Sequence, residues 1–162
     1  MYKINDYIIY KRETCKIIDI LKNYINNQDY YLLTPIKDET LTIKIPTNNK
    51  ELRSLINKEE LEKIIEKIPE IEVLNVDSKN LEASYKELLQ NPTHENLIKI
   101  IKTTYLRNKE RIDNNKKTTD KDNYYFNLAE NYLYSEFQIV LGISYDETKE
   151  YVISKVNELA SR

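Results

Sequence analysis

"LTIKIPTNNKELRSLI", residues 41–56, is where the chain changes its period. Leu41, Ile43 and Ile45 alternate with polar neighbours, the pattern of a strand with one buried face, and Pro46 cannot donate to a ladder and so ends it. Lys44 falls between two inward residues and is left on the wet face. Beyond Pro46 and the two asparagines the pattern turns charged and helical. The fold class rests on this junction, with strands before it and helices after it.

Towards the N-terminus the strand signals continue. "YKINDYIIY" (2–10) alternates around the turn-prone pair Asn5-Asp6, "CKIIDIL" (15–21) is rich in β-branched residues, and "NYINNQDYYLL" (23–33) sets a polar "NNQD" turn before another strand. Four or five strands within 46 residues make a small, strongly bent antiparallel sheet or barrel with a thin core.

Towards the C-terminus the period is helical. Asn57 and Glu60 have the spacing of a capping box for "KEELEKIIEKI" (58–68), whose Leu61, Ile64, Ile65 and Ile68 form one apolar stripe before Pro69 ends it. "PEIEVLNVDSK" (69–79) reads as a linker, which sets a domain boundary near Val76. Helices follow at "LEASYKELLQ" (81–90) and "THENLIKIIKTTYLRNKERI" (93–112). The second is entered with Pro92 in its first turn and points Leu97, Ile98, Ile101, Tyr105 and Leu106 inward. After a polar loop (113–123), Thr118 or Thr119 caps "YYFNLAENYLYSEFQIVLG" (124–142), which stops at Gly142. A second capping box, Ser144 with Glu147, opens "YDETKEYVISKVNELA" (145–160), where Tyr151, Val152, Val156 and Leu159 recur at helical spacing. The expected fold is α+β: a small antiparallel β-barrel or sheet in residues 1–76, then an all-α bundle-like domain in residues 77–162.

Composition narrows the function classes. In 162 residues, 25 Lys plus Arg nearly cancel 27 Asp plus Glu, so the net charge of −2 selects no polyanion or membrane partner and any electrostatic role must be local. The single cysteine, Cys15, cannot form an internal disulfide, and no stretch has the apolar run and flanks of a signal peptide or membrane span. A soluble, cytoplasmic protein is the expectation.

Catalytic chemistry has little to stand on. His94 lies in the first turn of a helix beside Glu95, where a solvated or capping role accounts for it, and Cys15 in "TCKII" reads as a small buried strand residue. Gly142 stands alone, so there is no glycine-rich phosphate loop. The carboxylates of "EELEKIIEK" alternate with lysines on a solvated helix face. Neither a cofactor, a metal, a small-molecule ligand nor an enzymatic activity is expected. Most of the fourteen tyrosines suit core packing, although "NYYF" and "NYLY" could also present rings to a partner.

One segment departs from neutrality. Between residues 99 and 117, Lys99, Lys102, Arg107, Lys109, Arg111, Lys116 and Lys117 face only Glu110 and Asp113, seven cations against two carboxylates. Helix solubility and dipole compensation explain such a run, and so does a patch that contacts nucleic-acid phosphates without reading bases.

The order of these features resembles the CarD/CdnL family of bacterial transcription regulators. The resemblance spans nearly the whole chain. It includes the aromatic-x-apolar-x-Asp-x-apolar-apolar-Tyr opening of Tyr2, Ile4, Asp6, Ile8, Ile9 and Tyr10, and the segment Ile43-Lys44-Ile45-Pro46-x-Asn48 followed by Arg53. "SYKELL", "KTTYLRNKER" and "NLAENYL" are similar to the family's helical half in the same order. The resemblance implies a Tudor-like N-terminal domain that binds the RNA polymerase β subunit, through Lys44 with Arg53, Lys22, Ile43 and Pro46. It also implies a helical domain facing promoter DNA, through Leu81, Lys86, Lys99, Lys102, Arg107, Arg111, Lys116 and Lys117, and hence a place in the bacterial nucleoid through the polymerase. Such proteins modulate open-complex stability without catalysis. Departures from the family pattern are Lys11, Arg12, Glu13 and Thr14 in place of a glycine and a proline-histidine pair, Leu81 in place of a wedging tryptophan, Ala83 and Ser84 in place of two basic residues, and the neutral Asn123. They point to weak, non-sequence-specific DNA contact. The alternative is a protein-interaction adaptor of the same fold that lacks DNA binding.

Overall fold

In the computed structural model, which describes Met1 to Arg162 throughout, two consecutive asparagines make the hairpin that organises the N-terminal unit. Asn26 and Asn27 both take positive φ, 51° and 62°. Asparagine tolerates this left-handed region, and two such residues in succession give the tight turn whose twist matches antiparallel strands. The turn joins β2 (Glu13–Ile25) to β3 (Gln28–Pro35). With β1 (Tyr7–Tyr10), β4 (Ile43–Pro46) and β5 (Leu52–Arg53) they form one antiparallel sheet in the order β4-β3-β2-β1-β5.

Alternation sets which face is dry. Ile8, Cys15, Ile17, Tyr31, Leu33 and Ile45 form the core, and Tyr2, Tyr10, Ile20, Ile43 and Leu52 pack against it half-buried. Two irregularities bend β2: Ile18 is an extra residue between Ile17, opposite Leu33, and Asp19, opposite Leu32, and a wider bulge separates Leu21, opposite Tyr30, from Ile25, opposite Gln28.

Two expectations from residues 41–56 need correction. Leu41 is 53% exposed and precedes β4, so the inward alternation begins only at Ile43. Leu52 and Arg53, expected in a helical stretch, pair with Tyr10 and Ile9 as the edge strand β5. Such a pairing lies between segments far apart in sequence and leaves no local periodicity.

The second unit is helical: α1 (Lys58–Lys67), α2 (Leu81–Gln90), α3 (His94–Asp113), α4 (Asp120–Leu141) and α5 (Tyr145–Ala160), with 3-10 turns at Ile68–Glu70 and Ser78–Asn80. The capping boxes of Asn57 with Glu60 and Ser144 with Glu147 are both formed, and Gly142 closes α4 in the left-handed conformation at φ 68°. Thr119 is the cap of α4, which begins at Asp120, within the stretch expected to be loop. Pro92 lies outside α3, whose cap is Thr93. No helix is long and apolar enough to cross a membrane.

Contacts divide the chain into Met1–Ile56 and Asn57–Arg162, not at Val76. The supposed linker is fastened within the helical unit: the Leu74 N–H donates to Thr103 Oγ1 at 3.0 Å, and Lys102 Nζ donates to the carbonyls of Ile68 at 2.7 Å and Ile71 at 2.6 Å. Helix α1 joins the same unit, packing on α4 and α5, with the Tyr151 hydroxyl bonded to Glu62.

Helix α4 runs through the centre of this unit, buried on every side from Leu133 to Phe137. Three carboxylates on it are nearly inaccessible, and each is met by a neighbouring helix. Asp122 accepts from Arg107 Nε at 3.0 Å and from the Tyr85 hydroxyl at 3.1 Å, Glu130 from Lys149 at 3.1 Å, and Glu136 lies 2.8 Å from His94 Nε2. Buried charges persist where they are paired in this way.

The expected inward face of α3 is also shifted. Leu97, Ile98 and Ile100 are buried together with Thr103 and Thr104, while Tyr105 and Leu106 are exposed. The two threonines bury because their hydroxyls donate to Lys99 O at 2.7 Å and Ile100 O at 2.8 Å, which leaves their methyl groups to pack.

Candidate functional site

Strand β4 ends the sheet on one side, so one edge of its backbone faces no neighbouring strand. Lys44 projects from its outer face, opposite Leu32 of β3. Its ammonium donates to the Tyr24 hydroxyl at 2.9 Å and stands 5.0 Å from the centre of the Tyr24 ring, which packs edge-on against Tyr30 at 5.3 Å. The lysine is thus exposed yet held, by a hydrogen bond at the hydroxyl edge of the Tyr24 ring.

The wide bulge in β2 carries Tyr24. Asn23 takes φ 47°, its N–H donates to Asp29 Oδ1 at 2.9 Å, and Lys22 Nζ bonds Asp29 Oδ2 at 3.2 Å. The Asn23 N–H, followed by Lys22, holds the Asp29 carboxyl below its usual range. Lys22, expected as a partner-contacting residue, therefore helps to fix this bulge. Sequence pattern missed Tyr24 and Asp29, because alternation gives no sign of a bulge of this width.

The other expected docking residues lie on three strands: Lys22 on β2, Ile43 and Pro46 on β4 beside Lys44, and Arg53 on β5. Arg53 lies on β5 at the opposite end of the strand order, where its guanidinium donates to Ser54 O at 3.1 Å. Ile43 is half-buried against the core, and Pro46, opposite Tyr30, closes β4. Exposed apolar groups near the hairpin, Tyr24 at 43% and Ile25 at 46%, give the region a partly apolar character.

Of the eight residues expected to face DNA, the fold removes three. Leu81, the first residue of α2, is 2% exposed, so it cannot wedge between bases. Arg107 is committed to the buried Asp122. Lys102 is committed to two carbonyls, and burial lowers its pKa. Arg111 Nε donates to Lys117 O at 2.6 Å and so shapes the loop after α3. Lys86 is exposed but lies 3.6 Å from Glu82, and Lys99 is half-buried. Lys116 and Lys117 are exposed in the loop after α3, and Lys109 is exposed on α3.

The two residues with nucleophile or base chemistry are also placed. His94, expected in a solvated or capping role, instead has its ring largely covered, bonded to Glu136 and stacked on Phe137 at 6.1 Å, while Thr93 caps the helix. Cys15 is wholly buried in the sheet, and burial pushes its thiol up to about 12, so the thiolate is suppressed at neutral pH. No protein-family model matches the chain, and no curated protein matches it.

Proposed function

We propose that the chain is a non-enzymatic transcription regulator of the CarD/CdnL kind, whose N-terminal sheet is a Tudor-like module that docks on the RNA polymerase β subunit. The observation that carries this reading is Lys44: a cation on the outer face of an end strand, bonded to the Tyr24 hydroxyl. An open strand edge supplies main-chain hydrogen bonds to an added strand, while outward side chains select the partner. A lysine already confined by Tyr24 loses less side-chain entropy on docking than a free one. The four-residue β4 and its closing proline confine pairing to a short register, which suits a specific partner better than open-ended aggregation.

A second reading, an adaptor of the same fold without DNA contact, is favoured by the internal commitment of Leu81, Lys102 and Arg107. Both readings share the docking face and differ in the helical unit. Copurification of the tagged chain with polymerase subunits tests the shared part. Lys44→Glu should reduce capture of the β subunit at least tenfold, about 2–5 kcal/mol if the lysine meets a desolvated carboxylate, while thermal unfolding stays unchanged. Undiminished capture by a folded Lys44→Glu protein would overturn the assignment.

A further inference from the structure

Between α3, α4 and α5 lies a cavity of about 340 Å³, walled by Ile98, Leu133, Val152 and Val156, with the exposed Tyr105 and Ile153 among its lining residues. Its charged lining consists of Lys102, Lys149 and Glu130. Lys149 and Glu130 are paired at 3.1 Å and cancel. Lys102 has no carboxylate partner: its ammonium donates to Ile68 O and Ile71 O, which engages two of its three N–H groups. The lining therefore carries one net positive charge, two cations less one anion.

We propose that this cavity binds a small amphiphilic monocarboxylate, its chain among the aliphatic side chains and its carboxylate against Lys102. Burial already disfavours the Lys102 ammonium, so part of the desolvation cost of an ion pair is met in the unliganded fold. The volume lies at the lower end of the range for small-molecule sites, and a mostly apolar lining with one orienting charge is the usual make-up of such sites. A neutral chain would leave the ammonium unpaired, and a dianion would bring a charge that nothing in the lining offsets. The site lies wholly within Asn57–Arg162 and is independent of polymerase docking.

The test titrates the full chain with decanoate, decanol and decylamine, followed by amide chemical shifts. Decanoate should saturate shifts at Ile101, Lys102, Leu133 and Val152, with decanol and decylamine at least tenfold weaker. Ile153→Glu, at an exposed position, should weaken decanoate at least tenfold and leave the spectrum otherwise folded. Lys102→Met should bind decanoate and decanol equally; if that variant does not fold, the head-group series and Ile153→Glu decide. Equal binding of all three amphiphiles to the native chain, no saturation, or shifts spread beyond the cavity would overturn the proposal. So would ligand-free shifts of the same residues with protein concentration, which would identify a second copy as the occupant.

Discussion

Lys44 and Arg107 are both cations expected to meet a partner, and the two units of the chain use them in opposite ways. In the sheet, Lys44 is bonded to a tyrosine hydroxyl with its charge accessible. In the helical unit, Arg107 reaches the almost inaccessible Asp122, which also accepts from Tyr85. Burial and the Asp122 charge raise the pKa of the Tyr85 hydroxyl, so it remains protonated and donating across the physiological range. A thin sheet leaves long side chains outside, whereas a central helix with three buried carboxylates draws in the cations around it. Counting charges along a sequence cannot separate the two cases.

The sharpest way to break the comparison is Arg107→Ala. It leaves Asp122 buried with its charge uncompensated, and urea unfolding should show a loss of about 3–5 kcal/mol. A loss below about 1 kcal/mol would place Arg107 with ordinary exposed cations, whose pairs contribute that little, and return it to the pool available for DNA. Lys44→Glu is the opposing case: unfolding within about 0.5 kcal/mol of the native chain, as for a surface residue, with the effect confined to partner capture.

Tyr24→Ala sharpens the sheet side. It removes the hydroxyl that holds Lys44 and keeps the charge, so affinity for the captured partner should fall only by what confining the lysine contributed, about 0.5–1.5 kcal/mol or roughly two- to tenfold, measured by titration of the purified pair. A loss as large as that of Lys44→Glu would mean that the ring itself meets the partner, through the area left exposed in the free chain.

What could be read from the sequence was what is local. Asn57 with Glu60, Ser144 with Glu147 and Gly142 act within one helical turn of themselves, and each is found where the pattern put it, while of the two cap candidates Thr118 and Thr119 the structure uses Thr119, with the helix starting earlier than the pattern showed. The strand series to Pro46 was legible for the same reason, through alternation. Non-local features were not. Strand β5 exists because Ile9 finds Arg53, and residues 71–77 join the helical unit because Lys102 and Thr103 bind their backbone. Lys44 could be placed from its register, but its partner Tyr24 depends on a bulge pinned by Asp29. Leu81 failed in the other direction: an apolar residue opening an amphipathic helix is a core residue unless something holds it out, and here nothing does.

The smallest expected effect decides between the two readings of the helical unit. Lys116→Ala with Lys117→Ala leaves Arg111 its acceptor, since that is the backbone carbonyl of Lys117. Stability should stay within about 0.5 kcal/mol. If Lys86 and the 99–117 segment contact duplex phosphates, then with Lys102, Arg107 and Arg111 engaged within the fold the cations of that set left to do so are Lys86, Lys99, Lys109, Lys116 and Lys117, five at most, with Lys86 already near Glu82. The slope of log affinity against log salt should then be no steeper than about −4 to −5, and the double variant should flatten it by about 2. An unchanged slope would mean that the two exposed lysines of this loop touch no phosphate. With Leu81, Lys102 and Arg107 already withdrawn into the fold, the adaptor without DNA contact would then be the better account of this half of the chain.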